Sequence, residues 1–151
     1  MDSSSHASAE KDSTRALKEL AEGHVLVALA YLEKSLQAED NPSLHSCLGF
    51  CIAKERGHIT KGLELCHAAI EHEPENPIHY FYLAKVYLHA GSKEDALKTL
   101  RQAMAQGGSP AEILQMLEEL GNRNPPPLRF LSRDNPLNKY LGIILARLGL
   151  R

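Results

Sequence analysis

Residues 80–104 read YFYLAKVYLHAGSKEDALKTLRQAM, and this stretch decides the fold class. Its first half carries apolar side chains at helical spacing until Gly91 interrupts the pattern. The second half resumes the same spacing, with the small residues Ala96 and Ala103 on its apolar face. The stretch therefore predicts two short amphipathic helices joined at a glycine.

The same pattern recurs along the chain at a fixed interval. Gly23, Gly57 and Gly91 are separated by 34 residues each. The other positions with this spacing are Ala28, Gly62 and Ala96; Leu32, Cys66 and Leu100; Ser35, Ala69 and Ala103; and Leu36, Ile70 and Met104. A fixed period between about 20 and 50 residues is typical of stacked units that bury their apolar faces only against their neighbours. An all-α stack with a binding function is predicted.

Composition and turn signals divide the chain into five segments. Residues 1–13 are rich in serine and charge and lack apolar spacing, so they are expected to form a disordered leader. A degenerate repeat is predicted at 14–42, and two full repeats at 43–74 and 75–108. Residues 109–151 are predicted to be a helical extension that caps the stack, because a stack needs terminal elements over its last apolar face.

Charge and cysteine content limit the classes of partner and compartment. The formal net charge of −2 is too small to indicate a nucleic-acid partner. The polar start shows no secretion signal, and no run approaches the roughly 20 apolar residues of a membrane-spanning helix. Three cysteines, an odd number, argue against a disulfide framework. The chain is expected to be cytoplasmic.

The last two repeats resemble the tetratricopeptide repeat, a helix–turn–helix unit with small residues where its helices touch. The matching positions are Leu83, Ala84, Tyr87, Gly91, Ala96, Leu100 and Ala103 in the last unit, and Leu48, Gly49, Ile52, Gly62, Cys66, Ala69 and Pro74 in the central unit. Leu48 to Gly57 is one residue longer than Leu83 to Gly91, so the turn of the central unit is expected to carry an insertion. The resemblance implies a right-handed superhelical stack.

The resemblance also implies a function and a site. Tetratricopeptide proteins are non-catalytic scaffolds that hold peptides or domains in a concave groove lined by the first helix of each unit. Carried over by position, the groove-lining residues are Phe50, Lys54, Ile78, Phe81, Lys85, Leu88 and His89, with Ser46 and Ala53 beside them. The partner is expected to be a protein or peptide whose identity the sequence does not give.

Two phenylalanines in this set, each followed four residues later by a lysine, suggest the ligand's chemistry. Phe50 and Phe81 with Lys54 and Lys85 would suit apolar anchors combined with negative charge. The alternative is that both rings pack between repeats while the lysines are solvated. Some family members clamp a C-terminal carboxylate with Lys, Asn and Arg. The corresponding positions here are Ser46, Phe50 and Tyr82, so binding of chaperone tails is not predicted.

Metal, cofactor and catalytic sites are not predicted. Cys47 and Cys51 lie four residues apart, and Cys66 precedes His67, but Cys51 and Cys66 fall on apolar faces, where cysteine behaves as a small hydrophobe. The eight histidines are scattered on faces that are expected to be mostly exposed. The sequence has neither a recognisable nucleophile elbow nor a glycine-rich phosphate loop.

The last predicted helix leaves a choice open. It carries one apolar stripe, made of Leu137, Tyr140, Leu141, Ile144, Leu145 and Leu148. A cap on the stack is favoured. The alternatives are self-association of two chains through this stripe, and a peripheral membrane adaptor in which Lys139, Arg147 and Arg151 contact anionic lipid.

Overall fold

A computed structural model of the chain describes residues 3–107, 110–121 and 136–149. Within those ranges every regular element is helical, and the all-α prediction is confirmed. The helices are α1 (Ser3–Ala21), α2 (Val25–Ala38), α3 (His45–Arg56), α4 (Ile59–His72), α5 (Pro77–His89), α6 (Lys93–Ala105), α7 (Ala111–Gly121) and α8 (Pro136–Arg147). A short 3₁₀ turn, Pro42–Leu44, leads into α3.

The first six helices pack as three consecutive pairs, α1 with α2, α3 with α4 and α5 with α6. Neighbouring pairs join through contacts of α2 with α3, α3 with α5, and α4 with α5. One apolar core, which includes Leu32, Phe50, Cys66, Leu83 and Val86, runs from the first pair into the third. Residues 1–117 form one compact unit and 118–151 a second. The capping role of the extension stays a prediction, and residues 122–135 lie outside the described ranges.

In each of the three pairs, the first helix is followed by a glycine with a left-handed backbone conformation. Gly23, Gly57 and Gly91 have φ values of 83°, 69° and 81°, a region that favours glycine. The amide of Gly57 donates to the carbonyl of Ala53, which is the ordinary α-helical bond. As a result α3 continues to Arg56, and two residues separate it from α4, against three between α5 and α6. The predicted insertion in this turn is therefore wrong, since the extra residue lengthens the helix.

The predicted disordered leader does not agree with the structure, because α1 begins at Ser3. The buried positions of α1 are Ala9, Asp12, Ala16 and Glu19, a helical stripe in which two members are acidic. Contacts with α2 satisfy this polar face: Asp12 pairs with Lys34 at 2.8 Å, and the carbonyl of Ala9 accepts a 2.8 Å hydrogen bond from the Ser35 hydroxyl. Because two of its buried residues are acidic, a search for apolar residues alone does not detect the helical period of α1.

The central pair is held unusually close by two glycines. A Cβ placed on Gly62 would lie 2.7 Å from the backbone oxygen of Gly49 and 2.9 Å from the Cβ of Ala53. The repeat equivalents of Gly62 are Ala28 and Ala96, which the other two pairs accommodate. The α3–α4 contact therefore requires glycine at a position where its neighbours have alanine.

We expect Gly62→Ala to lower the free energy of unfolding by about 1–3 kcal/mol, because backbone must move to relieve the overlap. The control is Gly142→Ala in α8, where the added Cβ meets nothing within 4 Å. That change should be neutral or, through helix propensity, stabilising by up to about 1 kcal/mol. Urea unfolding followed by circular dichroism measures both. A Gly62→Ala protein as stable as wild type would contradict the close approach.

Candidate functional site

Packing of α5 on α3 decides where the predicted groove residues lie. On α3, Phe50 is only 4% exposed and Ser46 and Ala53 are fully buried, so Lys54 is the α3 member of the set that reaches solvent. On α5, Ile78 and His89 are exposed, while the half-buried members are Phe81, Lys85 and Leu88. The expectation that Ser46, Phe50 and Ala53 line an open groove is therefore not met. Ser46 and Phe50 contact His79 and Tyr82 of α5, and Ala53 lies at the close contact with Gly62 of α4.

Four of these residues, Phe50, Lys54, Phe81 and Lys85, form one cluster together with Tyr82. The Lys85 ammonium lies 4.4 Å from the ring centroid of Phe50, 5.1 Å from that of Phe81 and 5.8 Å from that of Tyr82. The Lys54 ammonium lies 5.8 Å from the centroid of Phe50. The Tyr82 ring contacts both phenylalanines, with centroid separations of 5.7 and 5.4 Å. We call these five residues the lysine–aromatic cluster.

The cluster combines two cations with little solvent around one of them. Burial lowers the pKa of Lys85, and the neighbouring charge of Lys54 lowers it further. Attraction to three ring faces acts in the opposite direction, because it favours the charged ammonium. Among the described residues neither lysine forms an ion pair. Within the described ranges the two lysines are thus not ion-paired, although burial and, to a smaller extent, the charge of Glu112 raise the pKa of Tyr82 in the same cluster.

A second polar group lies between the same two helices, at their N-terminal ends. His79 on α5 is completely buried, and its Nδ1 lies 2.8 Å from the Ser46 hydroxyl of α3. Its Nε2 lies 2.9 Å from a carboxylate oxygen of Glu73. In the neutral ring these distances correspond to Nε2–H donating to the carboxylate and Nδ1 accepting from Ser46. The expectation that the histidines are solvated is therefore wrong for His79.

Glu73, in the loop between α4 and α5, is the acceptor at the centre of this network. Its carboxylate accepts hydrogen bonds from Ser43, from Asn76 at 2.9 Å and from His79. These donors, Ser43 first, lower the pKa of Glu73 to about 2. Asn76 also starts α5, because its side-chain oxygen accepts from the amide of Ile78 at 3.2 Å. The network therefore ties the beginning of α5 to the beginning of α3.

The Ser46–His79–Glu73 arrangement has the residue types of a hydrolytic triad but not its geometry. In a triad the serine bonds to Nε2 and the acid to Nδ1, whereas here the two nitrogens are exchanged. Ser46 and His79 are also completely buried, so a substrate cannot reach the hydroxyl. The arrangement therefore supports structure: it satisfies buried polar groups between two repeats.

The three cysteines are part of the core. Cys47, Cys51 and Cys66 are free and buried, and the Cys66 thiol lies 3.6 Å from the carbonyl oxygen of Ser46. Burial raises the pKa of Cys47 to about 11 and that of Cys51 to about 12, and it raises the pKa of Cys66 as well. Thiols in this environment are unreactive, because the thiolate is the reactive form.

One group of possible metal ligands occurs in the described part of the chain, made of Glu19, Glu22 and His24. Glu19 already accepts from Arg15 and from His24, both at 2.8 Å, so a cation would have to displace those partners. We therefore do not assign a metal site to these three residues. Within the described ranges, no helix has the length and apolar character needed to cross a membrane.

The repeated pairs can be compared with known protein families. A sequence model of the tetratricopeptide repeat matches residues 53–124. This part of the chain is therefore similar to the tetratricopeptide-repeat family. No curated protein matches the chain in sequence.

Two solved tetratricopeptide-repeat (TPR) domains have a similar fold. The Sgt2 TPR domain from Aspergillus fumigatus covers 87% of this chain and 93% of its own, with a TM-score of 0.58 and 16% identity. The first TPR domain of Spaghetti (RPAP3), solved with the HSP90 peptide SRMEEVD, covers 76% and 91%, with a TM-score of 0.57 and 15% identity. At these identities the likeness concerns the fold alone, and the family is generally a non-catalytic module for protein interaction.

The network predicts a specific loss of stability in acid. Because the pKa of Glu73 is lowered, its contribution is complete above the ordinary value of 4.5 and is lost as the pH falls towards about 2. We expect Glu73→Gln to cost roughly 1–2 kcal/mol of unfolding free energy at pH 7, the range of a partly exposed charged hydrogen-bond group. The difference from wild type should shrink between pH 4.5 and pH 2. Glu75→Gln, at an exposed neighbour, serves as the control in urea unfolding at several pH values.

The buried thiols predict slow labelling. In the native protein at pH 8, we expect dithionitrobenzoate to react with the cysteines no faster than the chain opens, and with all three at once in 6 M guanidinium. Absorbance at 412 nm reports both reactions. Rapid release of one equivalent under native conditions would show that a thiol is accessible and that the core assignment of the cysteines is wrong.

Proposed function

We propose that this TPR-like protein is an adaptor that binds a peptide or protein segment on the face formed by α3 and α5. The observation that carries the proposal is the lysine–aromatic cluster, in which the half-buried Phe81 and Lys85 and the exposed Lys54 combine ring surface with positive charge. Aromatic anchors with charged neighbours are typical of binding hot spots. Ile78 lies one helical turn before Phe81, and at 37% exposure it extends the apolar surface.

The partner class that we propose differs from the tail peptide bound by the RPAP3 domain. The positions that would supply a carboxylate clamp are Ser46, Phe50 and Tyr82, and all three are buried in this chain. The Ser46 hydroxyl is engaged by His79, Phe50 has no donor, and the hydroxyl of the buried Tyr82 forms a hydrogen bond with Cys47. The partner is therefore not a C-terminal chaperone tail held in that manner.

The proposed compartment is the cytoplasm. The described residues include all three cysteines, and each of them is a free thiol. Unpaired thiols fit a reducing interior, where disulfides are rare.

The test is a quantitative pull-down from native lysate with matched variants. Phe81→Ala with Lys85→Glu should abolish partner capture, because it removes both the half-buried ring and the central cation. Leu97→Ala with Lys98→Glu removes a partly buried apolar side chain and reverses a lysine charge on α6, and it should leave capture unchanged. Circular dichroism verifies that both variants keep their helices. Equal capture by all three proteins would exclude the α3–α5 face.

A second function, self-association, is favoured by one observation on α8. Its large side chains Leu137 and Tyr140 are 60% and 70% exposed, and the other exposed apolar members are Ile143, Ile144 and Leu148. An exposed apolar stripe of this kind suits a copy of the same helix. If the protein acts as an adaptor and does not self-associate, light scattering should give the monomer mass over a 100-fold concentration range. A mass that doubles in wild type and not in Tyr140→Glu would establish self-association.

A further inference from the structure

The cations of the lysine–aromatic cluster lie in a region of overall negative charge. Residues 1–120 contain 11 basic and 18 acidic residues, so the region carries about −7 overall. Several of these acidic residues form surface ion pairs, such as Asp12 with Lys34 and Glu33 with Arg56. Lys54 and Lys85 have no such partner among the described residues, and neither have Lys93, Lys98 and Arg101 on α6. Lys54 and Lys85 differ from these in lying over aromatic rings and close enough to repel each other, and a carboxylate between them would relieve that repulsion.

The aromatic rings hold the Lys85 ammonium in place but supply no oxygen acceptors for its N–H donors. Three ring faces within 6 Å attract the charge, which fixes the side chain without occupying its N–H donors with oxygen acceptors. The ordering of a flexible lysine has thus largely taken place before a ligand arrives, and preorganisation of this kind increases affinity. An ammonium of this kind, with a second cation nearby, is suited to an anionic oxygen.

We propose that the segment bound on the α3–α5 face is acidic, with an Asp or Glu side chain between Lys85 and Lys54 and a neighbouring apolar residue on Phe81 and Ile78. This inference rests on the adaptor function proposed above and adds the chemistry of the partner. The side-chain carboxylate is recognised by two point charges, and the apolar neighbour removes water from them, which strengthens the attraction. The overall negative charge of the repeats disfavours acidic segments elsewhere on the surface.

The experiment selects ligands from random sequences, so the partner need not be identified first. A phage-displayed library of random dodecapeptides is panned against wild type, Lys85→Met, Lys85→Arg and Lys98→Met. Met keeps the alkyl stem of the lysine and removes the charge, Arg keeps the charge, and Lys98 is an exposed control on α6. We expect wild type, Lys85→Arg and Lys98→Met to enrich peptides in which Asp or Glu adjoins an apolar residue, and Lys85→Met to lose that enrichment.

Fluorescence anisotropy then measures the best wild-type peptide and its Glu→Gln or Asp→Asn counterpart. We expect each of three changes, the amide peptide, Lys85→Met and Lys54→Met, to weaken binding at least tenfold. Lys98→Met should change it less than threefold. Binding should also weaken between 50 and 500 mM salt, since the Debye length falls from about 14 to about 4 Å.

The outcomes separate this inference from the adaptor proposal. Enriched peptides that lack acids but need Phe81 would overturn the acidic partner and leave the binding face intact. Acidic peptides that bind equally well to Lys85→Met and Phe81→Ala would overturn both. The absence of any enrichment would also count against both. A phosphoserine peptide that binds while its Glu counterpart does not would replace the carboxylate with a phosphate and contradict the inference.

Discussion

The packing of α5 across α3 is the contact on which the rest of this molecule depends. It covers one face of α3, where Phe50 contacts Tyr82 and Ser46 contacts His79, and both α3 residues are buried. Each repeat is too short to bury its apolar face alone, so the joined pairs obtain their stability from such contacts between neighbours. Because the core runs from the first pair to the third, this contact also fixes the positions of side chains that reach solvent.

One interface therefore contains two polar groups with opposite properties. At the N-terminal ends of the helices, Glu73, His79 and Ser46 satisfy one another, and the buried hydrogen bonds fix the alignment of α5 on α3. Further along, Lys85 and Lys54 lie over aromatic rings and form no ion pair among the described residues. A satisfied network contributes specificity of packing, while an unsatisfied pair of cations leaves binding energy available for a partner.

The 34-residue spacing was sufficient to predict the helical repeats, because each glycine turn and small contact residue repeats with that period. It could not predict α1 before residue 14, since the buried stripe there contains Asp12 and Glu19 and depends on contacts with α2. It also gave no sign that His79 is buried, because only the meeting of α3 and α5 supplies its partners. The cluster at Lys85 was predictable as a set of residue types, but the burial of Phe50 was not.

The most direct test of the central claim is site-specific photo-crosslinking in native lysate. Benzoylphenylalanine is incorporated in place of Phe81 and, in a separate protein, in place of Leu97 on α6. The account predicts that irradiation attaches a discrete partner at position 81 and nothing comparable at position 97. Crosslinks that form equally at both positions, or only at position 97, would contradict the assignment of the α3–α5 face as the binding surface.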